Sequence, residues 1–249
     1  MTSPRRVYVL PSNIQGRRAR IEDPQELHHL LDVLRAKPGH PIECFDGQGR
    51  VYQGRIVALD RTRCDIELHG TLSEPSEQRM RLTLGLALLK GVRFEWVIQK
   101  ATELGVARIV PLITARVVAR PVIGRTDAKV ARWRRIAAEA AKQCRQATLP
   151  AIDTPQRLKD VLPSLTKGAL LLMPTLVGPT MPLARIIEDH QSARDIVVLI
   201  GPEGDFTPEE VALAVHHGAR LVSLGSRTLR SETAAIATVA ILQCACEIL

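Results

Sequence analysis

The feature that most constrains the fold of this chain is a series of apolar runs that alternate with amphipathic segments beyond residue 78. The runs are MRLTLGLALL, ARIVPLIT, GALLLM, DIVVLI and ARLVSL. Strands that are apolar almost without interruption are typical of a parallel sheet with helices on both faces. Residues 78–249 are therefore predicted to form an α/β domain.

The segments between these runs are predicted to be helices. One places five apolar residues on a single face and stops at Gly105, and a basic helix covers about residues 127–147. The final helix, which starts at Ser231, is apolar almost all the way round. Such a helix needs burial on every side, so we expect one face on the sheet and the other on a second subunit. This segment predicts a homodimer.

Residues 1–72 are predicted to form a compact β-rich domain. Strand patterns occur in RRVYVL, PIECFDG, GRVYQGRIVALD and RCDIELHG, and a helix pattern occurs in PQELHHLLDVLR. Asp46-Gly47 and Asp60 fall where hairpin turns are expected. Gly47-Gln48-Gly49 is a GxG, but a strand pattern follows it, so it lacks the context of a dinucleotide site. The polar stretch LSEPSEQ (residues 72–78) is the predicted linker between the domains.

The net charge of +8 is concentrated in the middle of the chain, where residues 76–150 carry 15 Lys and Arg against 5 Asp and Glu. The basic residues cluster in TARVVARPVIGRTDAKVARWRR, beside a Trp. A solvated helix face would account for part of this cluster. A one-sided surplus of this size nevertheless favours a polyanionic partner such as nucleic acid.

Membrane, disulfide and metal proteins are disfavoured. The most apolar segment, AAIATVAILQCACEIL, is interrupted by polar residues and falls short of the roughly 20 residues of a membrane span. The five Cys lack CxxC spacing and the seven His lack HExxH or Cys/His ligand spacing. An odd number of unpaired thiols suits a reducing compartment. We predict a cytoplasmic protein that uses no membrane and no metal.

Two glycine turns follow successive predicted strands, in VLIGPEGDFTPEE (residues 198–210) and LVSLGSRTLRSETA (residues 221–234). In open α/β sheets, ligands bind beyond the carboxyl ends of the strands. The first turn offers Glu203 and Asp205 in place of the Lys and Ser or Thr of a phosphate loop, and a capping box follows at Thr207. Either turn alone is most simply a tight turn, but the pair predicts a pocket for a cationic or neutral ligand.

Three motifs, IGPEGDFTPEE, LGSRTLRSETA and QKATELGV (residues 99–106), closely resemble those of the RsmE family, the small-subunit ribosomal RNA uridine-N3 methyltransferases of the SPOUT superfamily. RRVYV and HHLLDVLRAKPG are similar to that family's N-terminal domain. The resemblance implies a small β-rich PUA-like RNA-binding domain followed by a C-terminal SPOUT-type α/β domain with a trefoil knot. It also implies S-adenosylmethionine as cofactor, a homodimer, and 16S ribosomal RNA or the small ribosomal subunit as partner.

The resemblance also implies site residues. The cofactor would be bound by Leu172, Met173, Gly201, Glu203, Gly204, Leu224, Gly225, Ser226 and Leu229. Uracil N3 must lose its proton to attack a methyl carbon, so a positive group and a proton acceptor are needed. Arg230 and Glu232 are the catalytic candidates. The simpler alternatives are that Arg230 binds a phosphate and that Glu232 only favours a helix N-terminus.

The RNA backbone would be contacted by eight arginines, namely Arg5, Arg6, Arg17, Arg18, Arg116, Arg120, Arg125 and Arg132. The chain departs from the usual family pattern at Asp205, where a second Gly is more usual, at QCRQATLP (residues 143–150), and at MPT (residues 173–175), which replaces a His-Pro loop. Two alternatives remain open: a SPOUT enzyme that methylates the ribose 2′-OH, and a catalytically inactive RNA-binding factor in ribosome assembly. An oxidoreductase is disfavoured because neither glycine loop has the GxGxxG form.

Overall fold

The structure is a computed structural model that describes residues 5–75, 80–117, 126–190 and 193–248. The chain divides into two compact units, each with its own hydrophobic core. Unit 1 comprises residues 1–77 together with residues 141–149, and unit 2 comprises residues 78–140 and 150–249.

Unit 1 is built on a six-stranded sheet with the order β1-β4-β5-β6-β3-β2, in which β1 and β4 are parallel and the other pairs are antiparallel. The strands are β1 (Arg5–Tyr8), β2 (Ile14–Gln15), β3 (Arg18–Ile21), β4 (Pro41–Phe45), β5 (Val51–Leu59) and β6 (Cys64–Ser73). Helix α1 (Pro24–His28) continues into a π-helical turn over His29–Val33. The predicted β-rich domain is thus confirmed, although the short strands β2 and β3 were not predicted.

The two hairpin turns that the sequence predicts are present. The Asp46 carboxylate accepts hydrogen bonds from the amides of Gln48 and Arg50 between β4 and β5. Asp60 likewise accepts from the amides of Thr62 and Arg63 between β5 and β6. Short acidic side chains that bind nearby backbone amides are typical of such turns, which explains why they end the strands here.

Residues 141–149 pack on unit 1, although the sequence division places them in the second domain. Ala141 belongs to a buried cluster with Phe45. Arg6 pairs with Glu43 and also donates to the Gln146 carbonyl oxygen at 2.8 Å. No periodic pattern predicts this packing. The linker at residues 72–78 stays a prediction, because residues 76–79 lie outside the described ranges.

Unit 2 contains an eight-stranded sheet in which the paired strands are parallel. Its strands are β7 (Arg81–Ala87), β8 (Arg108–Ile113), β9 (Ala151–Ile152), β10 (Gln156–Arg157), β11 (Leu170–Pro174), β12 (Met181–Pro182), β13 (Asp195–Ile200) and β14 (Arg220–Ser223). The order is β10-β8-β7-β13-β11-β14-β12, and β9 pairs with β8. The helices are α2 (Arg93–Glu103), α3 (Thr126–Cys144), α4 (Leu158–Leu165), α5 (Leu183–Asp189), α6 (Pro208–His216) and α7 (Ser231–Ile248).

Apolar side chains leave the central strands toward both faces of this sheet. In β13, Val198 and Ile200 join one core cluster, whereas Val197 and Leu199 join another. Helices α2 and α7 contribute to the first cluster, and α4 and α6 contribute to the second. The predicted parallel sheet with helices on both faces is confirmed. The five apolar runs of the sequence correspond to its five longest strands, β7, β8, β11, β13 and β14.

Helix α7 is buried on one face only within a single chain. Ala235, Val239 and Leu242 are fully buried in the core, whereas Ile241 is 44% exposed and Cys244 is exposed. Its outer face is therefore apolar and uncovered. The trefoil knot stays a prediction.

The thiols of Cys44, Cys64, Cys144 and Cys244 are free. Burial raises the pKa of Cys44, and it raises the pKa of Cys64 to about 12, so both are inert at neutral pH. Among the described residues, the structure contains no helix that is both long enough and apolar enough to cross a membrane.

Replacing Lys142 by Ala should destabilise unit 1. The Lys142 ammonium lies 2.6 Å from the Glu26 carboxylate, and both side chains are about nine-tenths buried. We expect the free energy of unfolding of unit 1 to fall by about 3 kcal/mol, because the buried Glu26 carboxylate loses a positive charge that lies in hydrogen-bond contact with it. Urea unfolding followed by tyrosine near-UV circular dichroism checks this, since Tyr8 and Tyr52 are the chain's two tyrosines and both lie in unit 1.

Arg145→Asn is the matched control. Arg145 pairs with Glu43 but is 54% exposed, so its loss should cost less than about 1 kcal/mol. Asn tolerates the left-handed backbone at this position (φ 63°). Equal losses in the two variants would contradict the role assigned to Lys142.

Candidate functional site

Three adjacent parallel strands, β13, β11 and β14, end at the same edge of the unit 2 sheet. The loops that follow them enclose a cavity of about 250 Å³. It is lined by Pro174, Thr175, Leu176, Ile200, Gly201, Pro202, Glu203, Asp205, Val222, Ser223, Leu224, Gly225, Arg227, Thr228, Leu229, Arg230, Ser231 and Ala234. Both predicted glycine turns therefore contribute to one cavity.

The first glycine loop is a tight turn in which the Asp205 amide donates to the Pro202 carbonyl oxygen at 2.9 Å. A Cβ atom on Gly201 would lie only 3.1 Å from the Asp205 carboxylate and from the Phe206 ring. A larger residue at position 201 would therefore require Asp205 or Phe206 to shift by a few tenths of an ångström.

Two arginines from other parts of unit 2 hold this loop from outside. Arg116 donates to the carbonyl oxygens of Gly204 at 2.6 Å and Phe206 at 3.3 Å. Arg93, in the first turn of α2, donates to the Glu203 carboxylate at 2.8 Å. No motif in the sequence singles out Arg93, and Arg116 was predicted to contact RNA.

The capping box predicted at Thr207 is present at the start of α6. Thr207 Oγ1 accepts from the Glu210 amide, and the Glu210 carboxylate accepts from the Thr207 amide. The other Glu210 oxygen accepts from the Ala115 amide at 2.8 Å, which ties the end of β8 to this loop. The pKa of Glu209 is lowered, first by a hydrogen bond with its own amide and then by one with Thr207.

The second glycine loop places two guanidinium groups at the cavity. Gly225 has a left-handed backbone (φ 116°) that favours glycine. Arg227 and Arg230 both line the cavity and are exposed, and α7 then begins at Ser231. The cavity thus carries both signs of charge, whereas the acidic residues of the first glycine turn predicted a pocket for a cationic or neutral ligand.

Six residues predicted for the cofactor or for catalysis line this cavity: Gly201, Glu203, Leu224, Gly225, Leu229 and Arg230. Gly204 and Ser226 lie in the same loops but not in its lining. Leu172 and Met173 are fully buried inside β11, where they point to opposite core clusters. β11 ends at Pro174, one residue later than the run GALLLM predicts. Pro174, Thr175 and Leu176, at the end of the strand and after it, line the cavity.

Glu232 lies in the first turn of α7 and is not part of the cavity lining. Its side chain is 15% exposed, and one carboxylate oxygen lies 3.8 Å from Arg93 Nε. The other oxygen is buried and has no hydrogen-bond partner among the described residues. Arg93 therefore stands beside both Glu203 and Glu232.

The eight arginines predicted to contact RNA differ in their environments. Arg17 and Arg18 are exposed on unit 1, and Arg5 donates to the Leu34 carbonyl oxygen. Arg6 is nearly buried and binds residues of its own unit, which differs from the predicted RNA contact.

In unit 2, Arg132 is 64% exposed and pairs with Glu95. It shares the solvent face of α3 with Lys129 and Arg135, whereas Arg134 donates to the Ile152 carbonyl oxygen at 3.2 Å. Arg120 and Arg125 lie outside the described residues. Within the described part of the chain, no group of three His, Cys, Asp or Glu side chains could hold a metal ion.

Two protein-family models match different parts of the chain. An RNA methyltransferase domain matches residues 76–243, and an RNA methyltransferase PUA domain matches residues 21–68. The ribosomal RNA small subunit methyltransferase E of Synechocystis sp. is 35% identical over 221 residues, which cover 88% of this chain and 70% of that protein.

Two solved structures share nearly the whole fold. A Legionella pneumophila protein described as a methyltransferase, in complex with the bound cofactor SAM, superposes with a TM-score of 0.88 at 30% identity and covers 98% of both chains. The ribosomal RNA small subunit methyltransferase E of Neisseria gonorrhoeae, bound to S-adenosyl methionine, gives a TM-score of 0.85 at 29% identity, with 97% and 98% coverage.

Thr207→Ala should lower the free energy of unfolding of unit 2 by about 1 kcal/mol, because the α6 amides lose their side-chain cap. Thr207→Ser keeps the hydroxyl and should retain most of that stability. Thermal unfolding followed by tryptophan fluorescence measures both, since Trp96 and Trp133 are the two tryptophans and lie in unit 2. A loss in the Ser variant as large as in the Ala variant would refute the capping role.

Proposed function

Because the chain belongs to the ribosomal RNA small subunit methyltransferase E family of RNA methyltransferases, we propose that it transfers a methyl group from S-adenosylmethionine to N3 of a uridine in 16S ribosomal RNA. The observation that carries this proposal is the cavity at the carboxyl ends of β13, β11 and β14, where both glycine loops meet. Relatives with this name support the small ribosomal subunit as the source of the RNA.

The residues of the cavity fit S-adenosylmethionine chemically. Apolar side chains such as Leu176, Leu224 and Leu229 suit an adenine ring, and backbone groups of the glycine loops suit ribose hydroxyls. Carboxylates and guanidinium groups in one cavity suit a ligand that carries a sulfonium, an ammonium and a carboxylate. When bound, this cofactor supplies an electrophilic methyl carbon.

We assign Arg230 to the charge that develops on uracil. In the reaction the bond from N3 to the methyl carbon forms, the bond from sulfur to that carbon breaks, and the N3 proton leaves. A guanidinium beside the cavity stabilises the uracil anion that results from loss of this proton. Arg227 lines the same cavity and is assigned to the cofactor carboxylate or an RNA phosphate.

Glu232 is proposed as the acceptor of the N3 proton. The evidence for this role is separate from the evidence for Arg230. Its buried oxygen without a partner is an acceptor that the described residues leave unused. It lies outside the cavity lining, so the role requires the base to approach the first turn of α7. Glu232→Gln tests the assignment independently of Arg230.

The RNA is proposed to contact the exposed basic residues of both units. Arg17 and Arg18 provide cationic groups on unit 1, and the solvent face of α3 provides others on unit 2. Phosphate contacts of this kind fix the position of an RNA, whereas the base is read where it enters a pocket. The target uridine must be unpaired or splayed out for N3 to be reached.

Methylation of small ribosomal subunits that lack prior modification tests the function. The protein is incubated with methyl-labelled S-adenosylmethionine, and the digested RNA is analysed by nucleoside mass spectrometry. Label in 3-methyluridine supports the proposal, and label in a 2′-O-methylnucleoside supports the ribose enzyme instead. Cofactor binding with no labelled nucleoside supports the inactive assembly factor.

Arg230→Ala should lower kcat by roughly 100-fold to 1,000-fold, as expected when one donor to a developing anion is removed. Cofactor affinity should change little. Arg227→Ala is the matched control, since it removes the same group from the same cavity, and it should raise KM for cofactor or RNA more than it lowers kcat. If Arg227→Ala instead caused the larger loss of kcat, the roles assigned to Arg227 and Arg230 would be reversed.

A cytoplasmic location stays a prediction.

A second copy of the chain is proposed to cover the outer face of α7. Ile241→Glu should convert a dimer of twice 27.4 kDa into a monomer at micromolar concentration, because a charge would be buried in an apolar interface. Val215→Glu, at a 47% exposed apolar position on α6, should leave the dimer intact. Light scattering that gives a monomer for the unmodified chain would refute the dimer.

A further inference from the structure

Asp205 has a backbone conformation that is uncommon for its residue type. Its φ is 58°, in the left-handed region, and it is one of three non-glycine residues described with a positive φ. Asp tolerates this region better than most side chains, but glycine adopts it more readily. A residue held there needs compensating interactions, and the Asp205 carboxylate supplies them.

This carboxylate joins two of the three loops of the cavity. One oxygen accepts from Thr175 Oγ1 at 2.9 Å and from the Leu176 amide at 2.8 Å, across to the loop that follows β11. The other oxygen accepts from the Phe206 amide at 2.7 Å, within its own loop. Hydrogen bonds to an ionised acceptor are stronger than those between neutral groups.

Thr175 extends the connection to the neighbouring strand. Its hydroxyl accepts from the Val177 amide at 3.1 Å, and its amide donates to the Val222 carbonyl oxygen at 3.3 Å in β14. Thr175 is 9% exposed as a whole residue, so its hydroxyl requires an acceptor within the protein. Asp205 is that acceptor, which makes the two residues dependent on each other.

From this geometry we propose that Asp205 and Thr175 form a latch that sets the shape of the S-adenosylmethionine pocket, with Asp205 as a positioning residue. Both residues line the cavity, and the latch fixes the amide of Leu176, whose side chain is 71% exposed. The inference rests on the proposed cofactor.

The test is isothermal titration calorimetry with S-adenosylmethionine on the full-length chain and on Asp205→Gly, Thr175→Val and the double variant. Glycine suits the left-handed backbone, so Asp205→Gly removes the latch without adding backbone strain. Each single change should raise Kd about tenfold, since each leaves a polar group without its partner. The double variant should bind no more weakly than the weaker single variant, because both partners are then absent.

Two further readouts separate positioning from a general loss of structure. Asp205→Gly should still unfold in a single cooperative transition, and KM for S-adenosylmethionine should rise while kcat changes little. Asp205→Asn keeps an oxygen that can accept from the Leu176 amide, so it should recover part of the affinity.

The outcomes distinguish the latch from the function on which it rests. Binding by the unmodified chain with Kd unchanged in the single variants, or with fully additive losses in the double variant, would overturn the latch alone. Absence of binding by the unmodified chain would overturn the proposed cofactor and the latch together.

Discussion

Burial of β13, β11 and β14 on both faces is the constraint on which the rest of unit 2 depends. Side chains in the middle of these strands enter one of two apolar clusters, so a polar group there would lose its hydration without a partner. Polar groups are therefore confined to the ends of the strands. Since the three strands are parallel neighbours, their carboxyl ends meet, and the loops with glycine, acidic and basic residues are gathered at one edge.

The loops at this edge are positioned by residues that are distant in sequence. Arg116 follows β8, and Arg93 begins α2, yet both bind the first glycine loop. Glu210 caps its own helix and also binds the amide of Ala115. The shape of the pocket is thus a property of the whole unit, and a glycine motif transplanted without these partners would not keep its conformation.

Sequence reasoning was most successful where one physical rule applies to many residues. Runs of apolar residues predicted the five main strands of unit 2, and Thr207 with Glu210 predicted a helix start at the right residue. The two glycine loops were correctly placed at one cavity. It was less precise at strand ends: β11 ends at Pro174, one residue later than predicted, so Leu172 and Met173 lie inside the strand and not in the loop after it.

The tertiary partners of charged side chains could not be predicted from the sequence. The sequence shows that Arg6 and Arg116 are basic, but whether a guanidinium faces solvent or a backbone carbonyl depends on tertiary neighbours. The Asp205 and Thr175 contact is of the same kind. In the sequence Asp205 is an isolated departure from a pattern, and only the folded structure shows its contact with Thr175.

The segment 141–149 makes unit 1 discontinuous in sequence, and this limits how the protein can be divided and recombined. A fragment that ends at residue 75 lacks Lys142, which pairs with the buried Glu26, and lacks Ala141, which packs with Phe45. A gene fusion with one junction after residue 75 would therefore not transfer the complete unit 1 to another enzyme. Its exchange between proteins requires the last turn of α3 and the residues after it to move as well, so the two modules are expected to be inherited together.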